Sequence, residues 1–448
     1  MHFRFAFMAV SIASACAQTS NFSLQPKPSE QPPATITFKD ALGLAGKNDP
    51  TVLAATTDAA VAQQDYLQAR KGLYPSFSGR SEMIYTEGNG KIPTGRYVTQ
   101  DGVHVYREWA VMHQDLSAGT FTQTGVKRAA AAEALARARV EIARRGLAPT
   151  VAKAYYGLIA AQRKYATAQQ AVDEAQRALN VTQQLERGGE VAHSDTVKSQ
   201  LQLNTQQQAL NDARLAMDNA HLDLAVLLYR DFNENFSIVD DLDLTAALPP
   251  LPDVETMAGR ENPALAAAMQ GLRAANLDIS VARQAYLPSF GADFVYGLEA
   301  NAILPRSIDR AYLDLGPVPT LGFFMDATLT IPVWDWGIRR SKVRQAELKR
   351  DQAAVELSSA QRTLIRNLRG FYDEAQVARQ QVELLRRAVD LASESLRLNT
   401  LRYQAGEATI LELVDAQTAL TQARNAYDDG MVRYKLALSN LQTLTGSF

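Results

Sequence analysis

The sequence predicts an α+β membrane protein. A long α-helical coiled-coil barrel is joined to a transmembrane β-barrel that further copies of the chain complete, with four strands per chain and two tandem halves. Three observations carry this prediction. The 448-residue chain repeats its own order of motifs, it holds paired stretches of period-two alternation, and each pair precedes a very long Pro-poor segment with heptad apolar spacing.

The N-terminus comes first. "MHFRFAFMAVSIASACA" has one basic residue, Arg4, then a short apolar run ending in small residues. Residues 1–17 are therefore expected to be a signal peptide, too short for a spanning helix. The only cysteine, Cys16, falls at the cleavage point. Either "ASAC" is a weak lipobox and Cys16 is lipidated, or "ACA" is an ordinary cleavage site before Gln18. Residues 18–37, with "QPKPSEQPPAT", read as a Pro-rich extended tether.

The repeat follows. "NDPTVLAA" (48–55) returns as "ENPALAAA" (261–268), and "LYPSF" (73–77) as "YLPSF" (286–290), at one common separation. "AYYGL" (154–158) echoes "GFYDE" (370–374), and "ERGGEVAHSDTVKSQLQL" (186–203) echoes "YQAGEATILELVDAQTAL" (403–420). The expected halves are 38–247 and 248–448, joined near "LPPLPDV" (248–254).

Each half has the same grammar. An Asp or Glu with a Pro opens a helix of roughly 20 residues, which ends before Pro75 or Pro288. Two strands follow. In the second half Phe290, Ala292, Phe294, Tyr296 and Leu298 form one apolar face, and Phe323, Met325, Ala327, Leu329 and Ile331 another. Strands of about ten residues with one apolar face suit a transmembrane barrel. The first half repeats this less cleanly at 76–86 and 103–117. A soluble sheet is the plainer reading, but no segment is left to cover it.

Long helices come last. From Ile338 to Tyr403 there is no Pro and one Gly, and the seam Leu364, Leu368, Phe371, Ala375, Ala378, Val382, Leu385 steps by threes and fours. That pattern means left-handed supercoiling, over about 100 Å at 1.5 Å per residue. A returning helix carries Leu413, Ala416, Leu420, Ala423 and Tyr427. The first half matches at 120–187 and 194–230, with a kink expected at Pro149. A cytosolic coiled coil would share this seam but not the export signal or the strands.

Four strands cannot close a barrel, and an open edge in lipid leaves amides unpaired. Two copies give eight strands and a filled barrel; three give twelve and room for a lumen. Composition excludes other classes. The net charge of −2 offers nucleic acid no basic surface. The histidines at 2, 104, 113, 193 and 221 have no metal-ligand spacing. No phosphate loop, nucleophile elbow, HExxH helix or other cofactor motif occurs, so neither enzyme nor cofactor is expected.

"IPVWDWG" (331–337), the "YxxG" closing a long helix, "LELVDAQTAL" (411–420) and the doubled order of elements resemble the TolC-type outer-membrane efflux protein family (outer membrane factors) across about the whole mature chain. The resemblance implies a homotrimer with a twelve-strand outer-membrane barrel and a twelve-helix periplasmic tunnel. It implies an exit duct for a tripartite efflux or secretion system, partnered by a periplasmic adaptor protein and an inner-membrane transporter. A passive porin, or a periplasmic coiled-coil adaptor or scaffold, is the alternative.

Glu412 and Asp415 stand three apart and share a helix face. By resemblance they form two rings of acids narrowing the periplasmic entrance; independently, both suit the N-terminal turn of a helix. The family's entrance-closing network maps to Tyr403 with Ser194 and Asp195. Its arginine is absent, its position here being Ala408, which leaves open how the entrance is held shut. The tips Gly188–Asp195 and Ala405–Leu411 are the surface expected to meet the adaptor.

Overall fold

The computed structural model describes residues 34–85, 104–229, 235–243, 247–300, 306–307, 318–319 and 321–446. The signal peptide, Cys16 and the tether up to residue 33 lie outside the described residues. The first half runs β1 (Ala34–Ile36), α1 (Phe38–Asn48), α2 (Pro50–Lys71), β2 (Ser76–Tyr85), β3 (His104–Asp115), α3 (Ala118–Thr122), α4 (Thr124–Gly188), α5 (His193–Leu228) and β4 (Phe236–Ile238). The second runs α6 (Leu251–Glu261), α7 (Pro263–Gln284), β5 (Ser289–Ala300), β6 (Arg306–Ser307), β7 (Val318–Pro319), β8 (Leu321–Thr330), α8 (Ile338–Gln404) and α9 (Ile410–Thr445).

The repeated motifs are helix starts. Asp49 caps α2, its carboxylate accepting from the Thr51 and Val52 N–H groups at 2.8 and 2.9 Å, with Pro50 next. Asn262 caps α7 in the same way through Leu265 N–H at 2.9 Å, followed by Pro263. Capping satisfies donors that have no intrahelical acceptor, and proline at the first helical position gives up an N–H that would be orphaned anyway.

β2, β3, β5 and β8 form one antiparallel sheet in the order β2-β3-β5-β8. Each is ten or twelve residues long, the length a tilted membrane-spanning strand needs. The register sorts the two faces. Phe77, Met83, Ala110, Met112, Phe294, Tyr296, Phe323, Met325 and Leu329 share one; Arg80, Glu82, Arg107, His113, Asp293, Glu299 and Asp326 share the other. On the polar face Arg107 bridges Glu82 and Glu299 at 3.4 and 3.1 Å, and His113 meets Asp293 at 2.6 Å. The first face, broken by Ser81 and Glu108, suits lipid, and the second carries the charges, with Trp109, Val295 and Phe324 among them. Among the described residues no helix is long and apolar enough to cross a membrane.

Below the sheet the helices run in four lanes. α4 and α8 extend the full length, at 65 and 67 residues, or about 100 Å each. α2 lies beside the upper part of α4 and α5 beside its lower part; α7 and α9 fill the lane between α4 and α8. α4 continues as one helix through Pro149. Leu147, Val151 and Ala152, on either side of that proline, are buried, so packing continues across the turn where one hydrogen bond is lost.

Several elements were not legible beforehand. α1 and α6 precede the capped helices, and the expected linker is helical from Leu251. The end of the expected tether, Ala34–Ile36, pairs in parallel with Phe236–Ile238. Tyr155 locks this pair to α4: wholly buried, its hydroxyl donates to the Val239 carbonyl at 2.8 Å, with the Ile36 carbonyl at 3.2 Å. Arg163 bonds Asp240 and Asp243, each as close as 2.7 Å, and Asp428 of α9 at 3.3 Å. A belt midway down thus fastens α4 to α9.

Gly297 is required by the close approach of β3. A Cβ there would lie 2.1 Å from the Glu108 carbonyl oxygen, whereas one on Gly322 meets nothing within 4 Å. Gly297→Ala is expected to destabilise the sheet by about 1–3 kcal/mol, the usual cost of overpacking. Gly322→Ala should be close to neutral. Denaturant unfolding of both variants in detergent checks this, and equal midpoints would refute it.

Candidate functional site

The tip of the helical stalk gathers the residues singled out above. α8 ends at Gln404 and Gly406 follows with φ of 74°, a left-handed conformation that suits glycine. The chain re-enters helix at Thr409, the N-cap of α9. Thr409 and Glu412 form a capping box: Glu412 N–H donates to Thr409 Oγ1 at 3.3 Å, and Glu412 Oε1 accepts from Thr409 N–H at 3.4 Å and from its hydroxyl at 3.2 Å.

Glu412 has a second partner. Arg402 Nη1 reaches its Oε2 at 3.3 Å, and Arg402 Nη2 donates to the Glu407 carbonyl at 3.2 Å. Both side chains are half-exposed, so the pair contributes at most about 1 kcal/mol. Asp415 is exposed, and among the described residues its side chain has neither a hydrogen bond nor an ion pair. The two acids share a helix face but not a role. Glu412 finishes the helix end, while the Asp415 charge is free.

Tyr403 is 3% exposed. Its hydroxyl meets Thr182 Oγ1 of α4 at 2.9 Å, and the same oxygen meets Ser199 Oγ of α5 at 3.1 Å. Burial above all raises the phenol above its usual value, opposed by the Thr182 bond and assisted by the Asp195 charge. Tyr403 is thus a neutral group at neutral pH. Ser194 and Asp195, the expected partners, lie in the first turn of α5, where Asp195 approaches Lys198 at 3.5 Å. Within the chain neither bonds Tyr403. The bond goes instead to α4, because α4 packs against the Tyr403 face through Ala178, Val181 and Leu185. Ala408 joins this same apolar cluster.

Sequence reasoning missed Thr182, Ser199 and Arg402. A signal existed for Thr182: it continues the buried spacing Ala175, Leu179, Thr182, and a hydroxyl in a heptad seam needs a partner.

The surface of the lanes completes the site. Among the described residues, α4 and α9 each leave one large apolar side chain exposed, Ile142 and Leu411, whereas α8 leaves nine and α5 four. On α8, Val377, Leu384, Leu391 and Leu398 repeat every seven residues. These outer lanes, like the edge strands β2 and β8, are unfinished within one chain. Unfinished edges in both layers, a lipid-ready sheet face and an acid-bearing stalk tip define an outer-membrane channel that copies of the chain assemble.

The family described as "Outer membrane efflux protein" matches residues 41–228 and 256–447, and the chain belongs to it. The chain is 24% identical to outer membrane protein OprJ of Pseudomonas aeruginosa over 333 residues, 72% of this chain and 65% of that one. With outer membrane protein TolC of Vibrio cholerae it shares 23% over 411 residues, 90% and 89% of the two chains. The Campylobacter jejuni CmeC outer membrane channel has the same fold, with a TM-score of 0.75, 17% identity, and 91% and 85% of the two chains covered. The β end sits in the outer membrane and the helices lie in the periplasm. The four strands of one chain leave two open edges, so further copies of the chain are needed to close the barrel.

Thr409→Ala removes the side-chain half of the capping box, while the backbone N–H at 409 keeps its bond to Glu412. It is expected to cost the start of α9 about 1 kcal/mol. Amide exchange at residues 410–413 should accelerate roughly five-fold while that at Tyr155 stays unchanged, and uniform exchange across the chain would contradict the assignment.

Proposed function

We propose that the homotrimer is the exit duct of a tripartite efflux or secretion system. It receives cargo from an inner-membrane transporter through a periplasmic adaptor and releases it outside. The observation that supports this most is the pairing of a barrel-forming sheet with a stalk about 100 Å long, ending in exposed tips that carry a free carboxylate. A passive porin has no use for such a stalk. A periplasmic adaptor has no use for a sheet with one apolar face.

In the trimer Glu412 and Asp415 face the pore and form its periplasmic constriction, with three copies of each. Rings of carboxylates favour cations and repel anions. Because Arg402 and the capping box occupy Glu412, Asp415 supplies most of the cation binding. Tyr403 closes the entrance, its bonded partner within the protomer being Thr182 of α4 rather than Ser194 or Asp195. The tips Gly188–Asp195 and Ala405–Leu411 meet the adaptor, being furthest from the membrane. Cys16 either carries an acyl anchor or is cut off with the signal peptide.

Planar bilayers test the constriction. Glu412→Ala with Asp415→Ala is expected to raise single-channel conductance and to weaken block by trivalent cations. Asp415→Asn alone should remove most of that block and Glu412→Gln little of it. Unchanged conductance and block in the double variant would take these residues out of the pore. For Cys16, mass spectrometry of the mature N-terminus separates the two outcomes: an acylated cysteine marks the anchor, and a mature chain beginning at Gln18 would exclude it.

A further inference from the structure

We propose that Thr182 is the latch residue of this entrance: it joins the two helical hairpins of a protomer through one buried, uncharged hydrogen bond to Tyr403, and Ser199 positions it. The inference deepens the reading above, since it rests on the stalk tip being the entrance.

Three hydroxyls from three helices meet at one point. Thr182 is fully buried, Ser199 is 2% exposed and Tyr403 3%. Thr182 Oγ1 donates to the Ala178 carbonyl of its own helix at 2.9 Å. Its hydrogen is then used, so the bonds at 2.9 Å from Tyr403 and 3.1 Å from Ser199 are ones it accepts. A hydroxyl has one donor and two acceptor positions, and all three are filled. The surroundings are apolar: Ala178, Val181 and Leu185 on one hairpin, Leu396, Ile410 and Leu413 on the other.

Chain connectivity divides the labour. Thr182 and Ser199 belong to the α4/α5 hairpin and stay together when it moves. Tyr403 ends α8 in the other hairpin, so separating the hairpins at the tip must break the Thr182–Tyr403 bond. Ser199 fills one acceptor position of Thr182 and so leaves the other facing the phenol. Tyr403 also lines an open cavity of about 360 Å³ between α4, α8 and α9, together with Glu174, Arg177, Leu396, Thr400 and Gln417. That space receives the ring when the bond opens, which gives the tyrosine two places to be. No arginine is needed, and Ala408 is accommodated as part of the apolar packing. Where no water competes, an unpaired hydroxyl is costly, so the closed arrangement is favoured without charge.

The test uses the full-length trimer in planar bilayers, with Asp415→Asn as a control for the constriction. Tyr403→Phe and Thr182→Val each remove the bond at nearly constant volume. Each is expected to raise resting conductance several-fold, and the double variant should add little, since both break one interaction. Thr182→Ser keeps the hydroxyl and should keep the wild-type conductance, which a purely volume-dependent effect would not predict. Ser199→Ala, the mildest change, should give a smaller rise. Trimers of Tyr403→Phe and Thr182→Val that conduct like the wild type overturn the latch. If Thr182→Val fails to assemble, Tyr403→Phe and Ser199→Ala decide. Should Asp415→Asn relieve cation block while the latch variants stay silent, the latch alone falls. A wild-type protein that forms no channel removes both.

Discussion

An edge strand in hydrocarbon has nowhere to place its amides, and the rest of this structure depends on that constraint. Each unpaired N–H or C=O in lipid costs several kcal/mol. One chain presents two such edges, β2 and β8, at either side of its four-stranded sheet. Only other copies can remove them. The helices face the same problem in water, where α5 and α8 carry exposed Leu and Val rows while the inner lanes are nearly clean. Rows of that size are not left to solvent. Because α8 and β8 lie at one side of the protomer and α5 and β2 at the other, a single cyclic, head-to-tail contact closes both layers.

Two long layers stay in register only if something between them is rigid. The midway belt supplies this. Tyr155 takes the carbonyls flanking the β1–β4 pair, and Arg163 gathers Asp240, Asp243 and Asp428 from a loop and from α9. Burial pushes the Asp428 carboxyl up while the Arg163 bond pulls it back, so the buried acid is stable only with its guanidinium. Above the belt α2 and α7 are held; below it α5 and α9 run on to the tips.

At the tip, charge and closure are separate devices. Asp415 is exposed and, among the described residues, without a side-chain bond, whereas Arg402 and the capping box keep Glu412 largely occupied. The contact that holds the hairpins together is neutral and buried, so salt screens it little.

The sequence by itself determined the periodicities and therefore the layers. Alternation of two in 290–298 and 323–331, and of three and four in 364–385, follow from backbone geometry alone, and the acid before Pro50 marked the start of α2, whereas the caps at Asn262 and Thr409 came from the structure. The duplicated order was legible because both halves solve the same problem with the same residues. What only the tertiary structure decided was which partners meet over long distances in the chain. The pairing of 34–36 with 236–238, the helices α1 and α6 that brace it, the persistence of α4 through Pro149, and the choice of Thr182 over Ser194 or Asp195 for Tyr403 all depend on packing between segments remote in sequence. Periodicity shows which face of a helix is buried. It does not show what lies on the other side, because that depends on how whole helices stack in three dimensions.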